Sequence, residues 1–201
     1  MNAVVFFDVD TQMDFMDPGG RLYVPGAEQI VPNLRKLMQW ARQNDVLVIS
    51  SADAHAPDDP EFRIWPPHCV LGTPGQRRIP ETLFPDAVVV PAQPGAFTPP
   101  KRWAGQLIIE KPTYDPQDNP NFTPILKALG QRRAVVFGVA AEYCVRAVAL
   151  ALRQHGLKVE LVVDAIRPIT EEGGRKALAE MGAAGVCMVT TAEVCQPTAP
   201  V

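Results

Sequence analysis

The chain has 201 residues, 47% hydrophobic and 20% charged, which is enough apolar content to bury the core of one globular domain. Its 19 basic and 22 acidic side chains occur without runs of one sign, so we expect no nucleic-acid partner and no anionic membrane surface. No stretch approaches the roughly 18 apolar residues of a membrane span. Because the N-terminal stretch carries acids where a signal peptide carries bases, we expect a soluble, cytoplasmic protein.

Six short apolar runs, rich in β-branched residues, recur along the chain without alternating with polar residues. Runs of this kind predict strands that are covered on both faces of a sheet. They span residues 3–7, 46–49, 107–109, 134–139, 159–163 and 186–189.

Apolar residues at helical spacing lie between several of these runs, over residues 30–41, over residues 145–152 and, more weakly, over residues 171–181. Strands that alternate with helices predict the α/β class with a doubly wound parallel sheet. We therefore expect a single domain over residues 1–201, built as a Rossmann-like three-layer sandwich.

Residues 57–124 hold 15 of the 21 prolines and only one convincing strand. Proline removes a backbone donor and breaks helix interiors, so this stretch predicts a long irregular excursion. It also carries many large apolar side chains, too many for a solvated linker. We expect ordered loops and short elements that cover one end of the sheet.

Reactive side chains follow the apolar runs, where the strands end. In open parallel sheets ligands bind outside the carboxyl ends of the strands, so these side chains are expected to meet at one edge. In chain order they are Asp8 and Asp10; Ser50, Ser51, Asp53 and His55; Glu110 and Lys111; Glu142, Tyr143 and Cys144; and Asp164.

Cys144 follows a predicted strand and precedes a helical pattern, which places it in the first turn of a helix. The unpaired N–H groups and positive dipole of a helix start favour the thiolate. Asp10 and Lys111 are the obvious base and cation for such a nucleophile. The alternative is a small buried core cysteine, which is also the interpretation we favour for Cys187.

Asp53 and His55, with Glu61 and His68 downstream, supply carboxylate and imidazole ligands of the kind that Zn²⁺, Mn²⁺ and Fe²⁺ accept. The alternative is that Asp53 caps a turn while the histidines face solvent. Cys69, next to His68, is expected to pack inward.

Asp8 opens a further alternative. The sequence F-F-D-V-D-T at residues 6–11 resembles the start of haloacid-dehalogenase-type phosphatases, in which the first aspartate is the nucleophile. That pattern requires Thr or Ser four residues after the first aspartate, and position 12 is Gln. The phosphatase hypothesis therefore fails at one of its defining positions.

Several segments together resemble one family over nearly the whole chain, in the right order. They are D-T-Q-M-D-F at residues 10–15, D-A-H at 53–55, W-P-P-H-C at 65–69, Lys111, and G-V-A-A-E-Y-C-V at 138–145. The chain thus resembles the isochorismatase-like cysteine hydrolases and, among them, the nicotinamidases. The resemblance implies a six-stranded parallel sheet flanked by helices.

The same resemblance implies the site's roles. Cys144 would be the nucleophile, Asp10 the proton carrier and Lys111 the charge stabiliser, acting on a linear carboxamide through a thioester. The backbone N–H groups of Ala140 and Cys144 would form the oxyanion hole, next to a cis peptide bond between Val139 and Ala140. Aromatic residues would line the substrate pocket, namely Phe15, Trp65 and Tyr143.

For the cofactor, the resemblance implies one divalent metal ion, Zn²⁺ before Mn²⁺ or Fe²⁺, that anchors the pyridine nitrogen of nicotinamide. Asp53, His55 and His68 match ligand positions, and Glu61 falls where relatives place a further ligand. A small amide such as an N-carbamoyl or ureido compound remains the alternative substrate. A homodimer or homotetramer is the implied assembly.

Overall fold

A computed structural model describes residues 4–99, 104–130 and 132–196. Both ends of the predicted domain 1–201 lie outside these ranges, including Ala3, the first residue of the first predicted strand. Seven strands form one sheet in the order β3-β4-β2-β1-β5-β6-β7, and every neighbouring pair is parallel. The strands are β1 (Val4–Val9), β2 (Leu47–Asp53), β3 (Val88–Val90), β4 (Gln106–Lys111), β5 (Arg133–Val139), β6 (Lys158–Arg167) and β7 (Cys187–Val189).

Helices cover both faces of the sheet, which confirms the predicted three-layer α/β architecture. They are α1 (Met13–Met16), α2 (Val31–Gln43), α3 (Phe122–Leu129), α4 (Arg146–Gln154), α5 (Glu171–Ala183) and α6 (Thr191–Val194). On one face α2 buries its apolar stripe with Phe6 and Val48, and on the other α4 packs with Phe7 and Ile49. None of the helices in the described ranges is long and apolar enough to cross a bilayer.

The expected count of six strands is wrong, because β3 adds a seventh at the edge of the sheet. Val88 and Val89 are 56% and 50% exposed, and only Val90 is buried. β3 is a run of three valines, as apolar as the predicted strands, but it lies within the proline-dense stretch, where only one strand was expected. The other edge brings a second correction, since Cys187 in β7 is exposed and is not a core residue.

Helix α3 has no counterpart among the predicted helical patterns, since it begins inside the proline-dense stretch. Pro124 is its third residue. The N–H groups of a helix's first turn have no partner within the helix, so proline is tolerated there although it breaks helix interiors. Phe122, Ile125, Leu126 and Leu129 give α3 its buried face.

The register of the central strands brings the reactive residues together. β1 pairs with β2 on one side and β5 on the other, and Asp53 lies opposite Lys111 between β2 and β4. Gly138 has a φ of +120°, and a Cβ at this position would overlap the backbone of Val9. Glycine therefore permits β5 to approach β1 closely just before the site.

Candidate active site

Asp10, Lys111 and Cys144 meet at the carboxyl edge of the sheet, where the sequence places them. Lys111 Nζ lies 2.9 Å from Asp10 Oδ2 and 3.7 Å from Cys144 Sγ. Asp10 and Lys111 are fully buried, and Cys144 is 7% exposed at the wall of a pocket. The three side chains thus form one contiguous cluster of acid, base and thiol.

Each member of the cluster is delivered by the end of a strand. Asp10 directly follows β1, and its Oδ1 accepts a 2.6 Å hydrogen bond from the hydroxyl of Ser51 in β2. Lys111 is the last residue of β4, and its ammonium also donates to the carbonyl of Thr113 at 3.1 Å. Cys144 lies in a π-helical turn, Ala141–Val145, that joins β5 to α4.

The electrostatics of the thiol differ from the expectation of a thiolate. Burial, together with the negative charge of Asp10, raises the pKa of Cys144 well above its ordinary value, although Lys111 acts in the opposite direction. Burial opposes the charge of Lys111, but Asp10 and Asp53 outweigh it and raise the pKa of the ammonium. Both shifts favour a protonated thiol beside a charged lysine, so Cys144 would need a base in order to act as a nucleophile.

The backbone at the entry to the π-helical turn has the form that the resemblance implies. The peptide bond between Val139 and Ala140 is cis. Ala140 and Cys144, the residues of the predicted oxyanion hole, both line the pocket.

Asp53, His55 and His68 form a buried group whose ligand atoms all lie within 4.8 Å of one another. Asp53 Oδ2 is 3.7 Å from His55 Nε2 and 3.6 Å from His68 Nε2. His55 Nε2 is buried and has no hydrogen-bond partner among the described residues. A buried imidazole nitrogen without a partner, facing a carboxylate and a second imidazole, fits a divalent cation.

The outer nitrogens of both histidines are engaged, which fixes the orientation of the rings. His55 Nδ1 lies 3.1 Å from Asp59, and His68 Nδ1 lies 2.8 Å from the carbonyl of Pro66. Partners of this kind orient metal-ligating imidazoles. Asp59 was missed in the sequence, although its place four residues after His55 is a usable signal.

Glu61 lies beside this cluster and not within its innermost group. It groups with His55 and Asp59, lines the pocket, and has a pKa raised by burial. The structure therefore brings three of the four predicted ligands into one group, with the carboxylate of Glu61 next to it.

The polar residues of the D-x-Q-x-D-F segment fix the backbone around these groups. Gln12 binds the backbone of Asp53 twice, accepting from its N–H at 2.7 Å and donating to its carbonyl at 2.9 Å. Asp14 accepts the N–H of Cys69 at 2.7 Å, directly after His68. The segment thus supplies Asp10 and also positions two candidate metal ligands.

A pocket that is partly open to solvent lies beside both clusters, lined by Cys144 from one and by Asp53 and His68 from the other. Phe15 stands 5.5 Å from the ring of His68, and Trp65 and Tyr143 pack edge to face at 5.5 Å between centroids. Tyr114, three residues after Lys111, forms part of the pocket wall. The lining residues are Phe15, Leu22, Val24, Asp53, Glu61, Trp65, His68, Tyr114, Val139, Ala140, Tyr143, Cys144 and Ile169.

Two further sequence candidates have structural surroundings that explain them. Cys69 is fully buried, as expected, and burial raises the pKa of its thiol, which makes it a poor metal ligand. Asp8 is also fully buried and is bound by Arg78, Thr11 and Ser50. Asp8 is not among the residues that line the pocket, so it is not placed to attack a substrate bound there, as the phosphatase hypothesis would require.

Replacing His55 by Ala should lower the affinity for Zn²⁺ by at least about 100-fold, because even partners outside the ligand set cost 10- to 100-fold. Competition with a chromogenic chelator measures this affinity without relying on activity. His155→Ala is the matched control, since His155 lies at the end of α4, outside the cluster. Wild-type affinity in the His55→Ala protein would contradict the ligand assignment.

Comparison with known proteins shows similarity along nearly the whole chain. The family model for the isochorismatase domain matches residues 3–193. The nicotinamidase/pyrazinamidase of Mycobacterium tuberculosis is 31% identical over 199 residues, covering 94% of this chain and 98% of the relative.

Solved structures also resemble the chain closely. A pyrazinamidase of Pyrococcus horikoshii in complex with zinc is 30% identical with a TM-score of 0.76, over 94% of this chain and 99% of that one. An N-carbamoylsarcosine amidase from Thermoplasma acidophilum is 26% identical with a TM-score of 0.74, over 95% and 98% of the two chains.

Proposed function

The chain belongs to the isochorismatase family and acts as a hydrolase on amides, and from that premise we propose that it converts nicotinamide to nicotinate and ammonia. The observation that carries this proposal is a single aromatic pocket. It joins the Cys144 nucleophile to the candidate metal ligands Asp53 and His68. A planar amide bound there would present its carbonyl carbon to the thiol and its ring to the other cluster.

The charges of the pocket support a neutral substrate. Its acidic side chains are Asp53 and Glu61, and no lysine or arginine lines it within the described part of the chain. N-carbamoyl amino acids and ureido acids carry a carboxylate, and the described lining offers no guanidinium or ammonium group to bind it. Nicotinamide carries no charge, and aromatic contacts with Phe15 and Trp65 suit its ring.

The proposed reaction begins with proton transfer from Cys144 Sγ to the carboxylate of Asp10. The sulfur then forms a bond to the amide carbon, and the N–H groups of Ala140 and Cys144 stabilise the oxyanion. The carbon–nitrogen bond breaks as ammonia leaves with the proton from Asp10, which gives the thioester.

Water completes the reaction with the same residues. Asp10 accepts a proton from the attacking water, the new carbon–oxygen bond forms, and the carbon–sulfur bond breaks. Cys144 recovers its proton from Asp10, and nicotinate leaves. Lys111 stays charged throughout, because it lies between Asp10 and Asp53 and offsets both carboxylates.

Asp53, His55 and His68, with Glu61 beside them, would hold the divalent ion. Bound there, the ion would supply a Lewis-acidic anchor for the pyridine nitrogen of the substrate. The carboxylate of Asp53 serves both clusters, because its Oδ1 contacts Lys111 while its Oδ2 faces the two histidines. Asp53 thereby fixes the position of the ring-binding site relative to the groups that cleave the amide.

Ammonia release from nicotinamide and from N-carbamoylsarcosine tests the proposal directly. We expect kcat/KM for nicotinamide to exceed that for N-carbamoylsarcosine by at least about 100-fold, because the lining offers aromatic contacts to a ring and no guanidinium or ammonium group to a carboxylate. Nicotinate must form in equal amount to ammonia. Preference for the carbamoyl compound would reject nicotinamide as the substrate.

A further inference from the structure

A buried ion pair lies next to the end of β1 and has no part in the chemistry proposed above. Asp8 is fully buried, Arg78 is 7% exposed, and Arg78 Nη2 contacts Asp8 Oδ2. Asp8 also accepts hydrogen bonds from the hydroxyls of Thr11, at 3.0 Å, and Ser50, at 3.1 Å. Buried ion pairs seldom stabilise a fold more than apolar side chains of similar volume do, so stability alone does not explain this one.

The guanidinium of Arg78 reaches past Asp8 to the residue that holds Asp10. Its Nη1 donates to the backbone carbonyl of Ser51 at 2.8 Å, and the same carbonyl accepts the Asp10 N–H at 3.3 Å. The Ser51 hydroxyl donates to Asp10 Oδ1 at 2.6 Å. Arg78 is therefore linked to the Asp10 carboxylate through one intervening residue.

A second branch of the network holds the backbone that follows Asp10. Arg78 Nη2 donates to Thr11 Oγ1 at 2.6 Å, and Gln12 pairs with Arg78 in an isolated antiparallel bridge. Asp10 has a φ of +47°, a left-handed conformation that a non-glycine residue keeps only where its surroundings fix it. Arg78 thus contacts Ser51, whose hydroxyl and carbonyl bind Asp10, and Thr11, which follows the strained Asp10 in the chain.

We propose that Arg78, held by Asp8, is a positioning residue that fixes Ser51 and Asp10 so that the Asp10 carboxylate stays aligned with the Cys144 thiol. The inference rests on the proposed function, in which Asp10 carries the proton. The guanidinium of Arg78 binds Asp8 through one terminal nitrogen and the Ser51 carbonyl through the other, so its planar fork fixes the direction of both bonds. A lysine ammonium carries its donors on a single nitrogen and supplies the charge without that fixed direction. Slight misplacement of a proton acceptor is costly to the reaction rate.

The test compares Arg78→Lys, and the double variant Asp8→Leu/Arg78→Met, with wild type. Arg78→Lys keeps a charge opposite Asp8 but loses the directed bond to Ser51. The double variant removes both buried charges, which protects the fold from a single unpaired ion. Two quantities are measured: steady-state kinetics with nicotinamide, and the rate at which iodoacetamide alkylates Cys144, followed by peptide mass spectrometry.

We expect kcat and the alkylation rate of Cys144 to fall by about 10- to 100-fold in both variants, with KM within about twofold of wild type. Arg133→Met is the matched control, because Arg133 pairs with Glu160 at the amino end of β5, away from the site. That control should keep wild-type kcat and alkylation rate.

Variants that melt at a lower temperature yet keep wild-type kcat and alkylation rate would overturn the proposal, since a purely structural ion pair behaves in that way. Alkylation of Cys144 requires no amide substrate. A wild-type protein without nicotinamide turnover would therefore reject the proposed function, while a slower alkylation in the variants would still support the positioning role of Arg78.

Discussion

Replacing Cys144 by Ala is expected to lower kcat for nicotinamide hydrolysis by about 10⁴-fold or more, because the sulfur that carries the acyl group is lost. The pocket wall loses a single atom, so nicotinamide should still bind, and binding measured by calorimetry should change little. Ammonia release under saturating nicotinamide gives kcat for both proteins.

Cys187→Ala is the matched control for this experiment. Cys187 is a free, exposed thiol in the edge strand β7, remote from the pocket lining. The Cys187→Ala protein should retain full activity. In the Cys144→Ala protein, the Cys187 thiol should remain reactive toward alkylating agents. If the Cys144→Ala protein kept more than about 1% of wild-type kcat, water would be attacking the amide directly and the thioester would be excluded.

Replacing Lys111 by Met should have the largest effect on stability and a large effect on rate. Lys111 is fully buried, and its ammonium lies against Asp10 and Asp53. Removing one partner of a buried ion pair leaves uncompensated charge and typically costs about 3–5 kcal/mol of unfolding free energy. We also expect kcat to fall by about 100- to 1,000-fold, because the charge beside the reacting groups is lost.

Urea unfolding and steady-state kinetics measure the two effects, and Arg133→Met is again the control. Arg133 and Glu160 form an ion pair whose side chains are 41% and 20% exposed, for which we expect at most about 1 kcal/mol. A Lys111→Met protein as stable as the control variant would show that the two carboxylates do not depend on the ammonium.

The sheet could be predicted from sequence because parallel strands that are covered on both faces must be apolar throughout. The same reasoning predicted that Asp10, Lys111 and Cys144 would lie close together, since the carboxyl ends of parallel strands share one edge. It did not find β3, because the three valines at residues 88–90 form a short run within the proline-dense stretch, where irregular structure was expected.

Other features depend on contacts that have no local signal. Arg78 binds Asp8 across 70 residues of sequence, within loops whose course the proline-dense composition does not reveal. The thiol of Cys144 was expected to ionise because of its place at a helix start, but its burial beside Asp10 raises its pKa. Burial of that kind is set by the packed site and not by the neighbouring sequence.

The central claim is that the amide is cleaved through a thioester on Cys144, and partitioning with hydroxylamine tests it most directly. Nicotinamide and methyl nicotinate have different leaving groups but would form the same acyl-enzyme. The account predicts that, at a fixed hydroxylamine concentration, both substrates give the same ratio of nicotinohydroxamate to nicotinate. Different ratios from the two substrates, or nicotinate alone from nicotinamide, would contradict it.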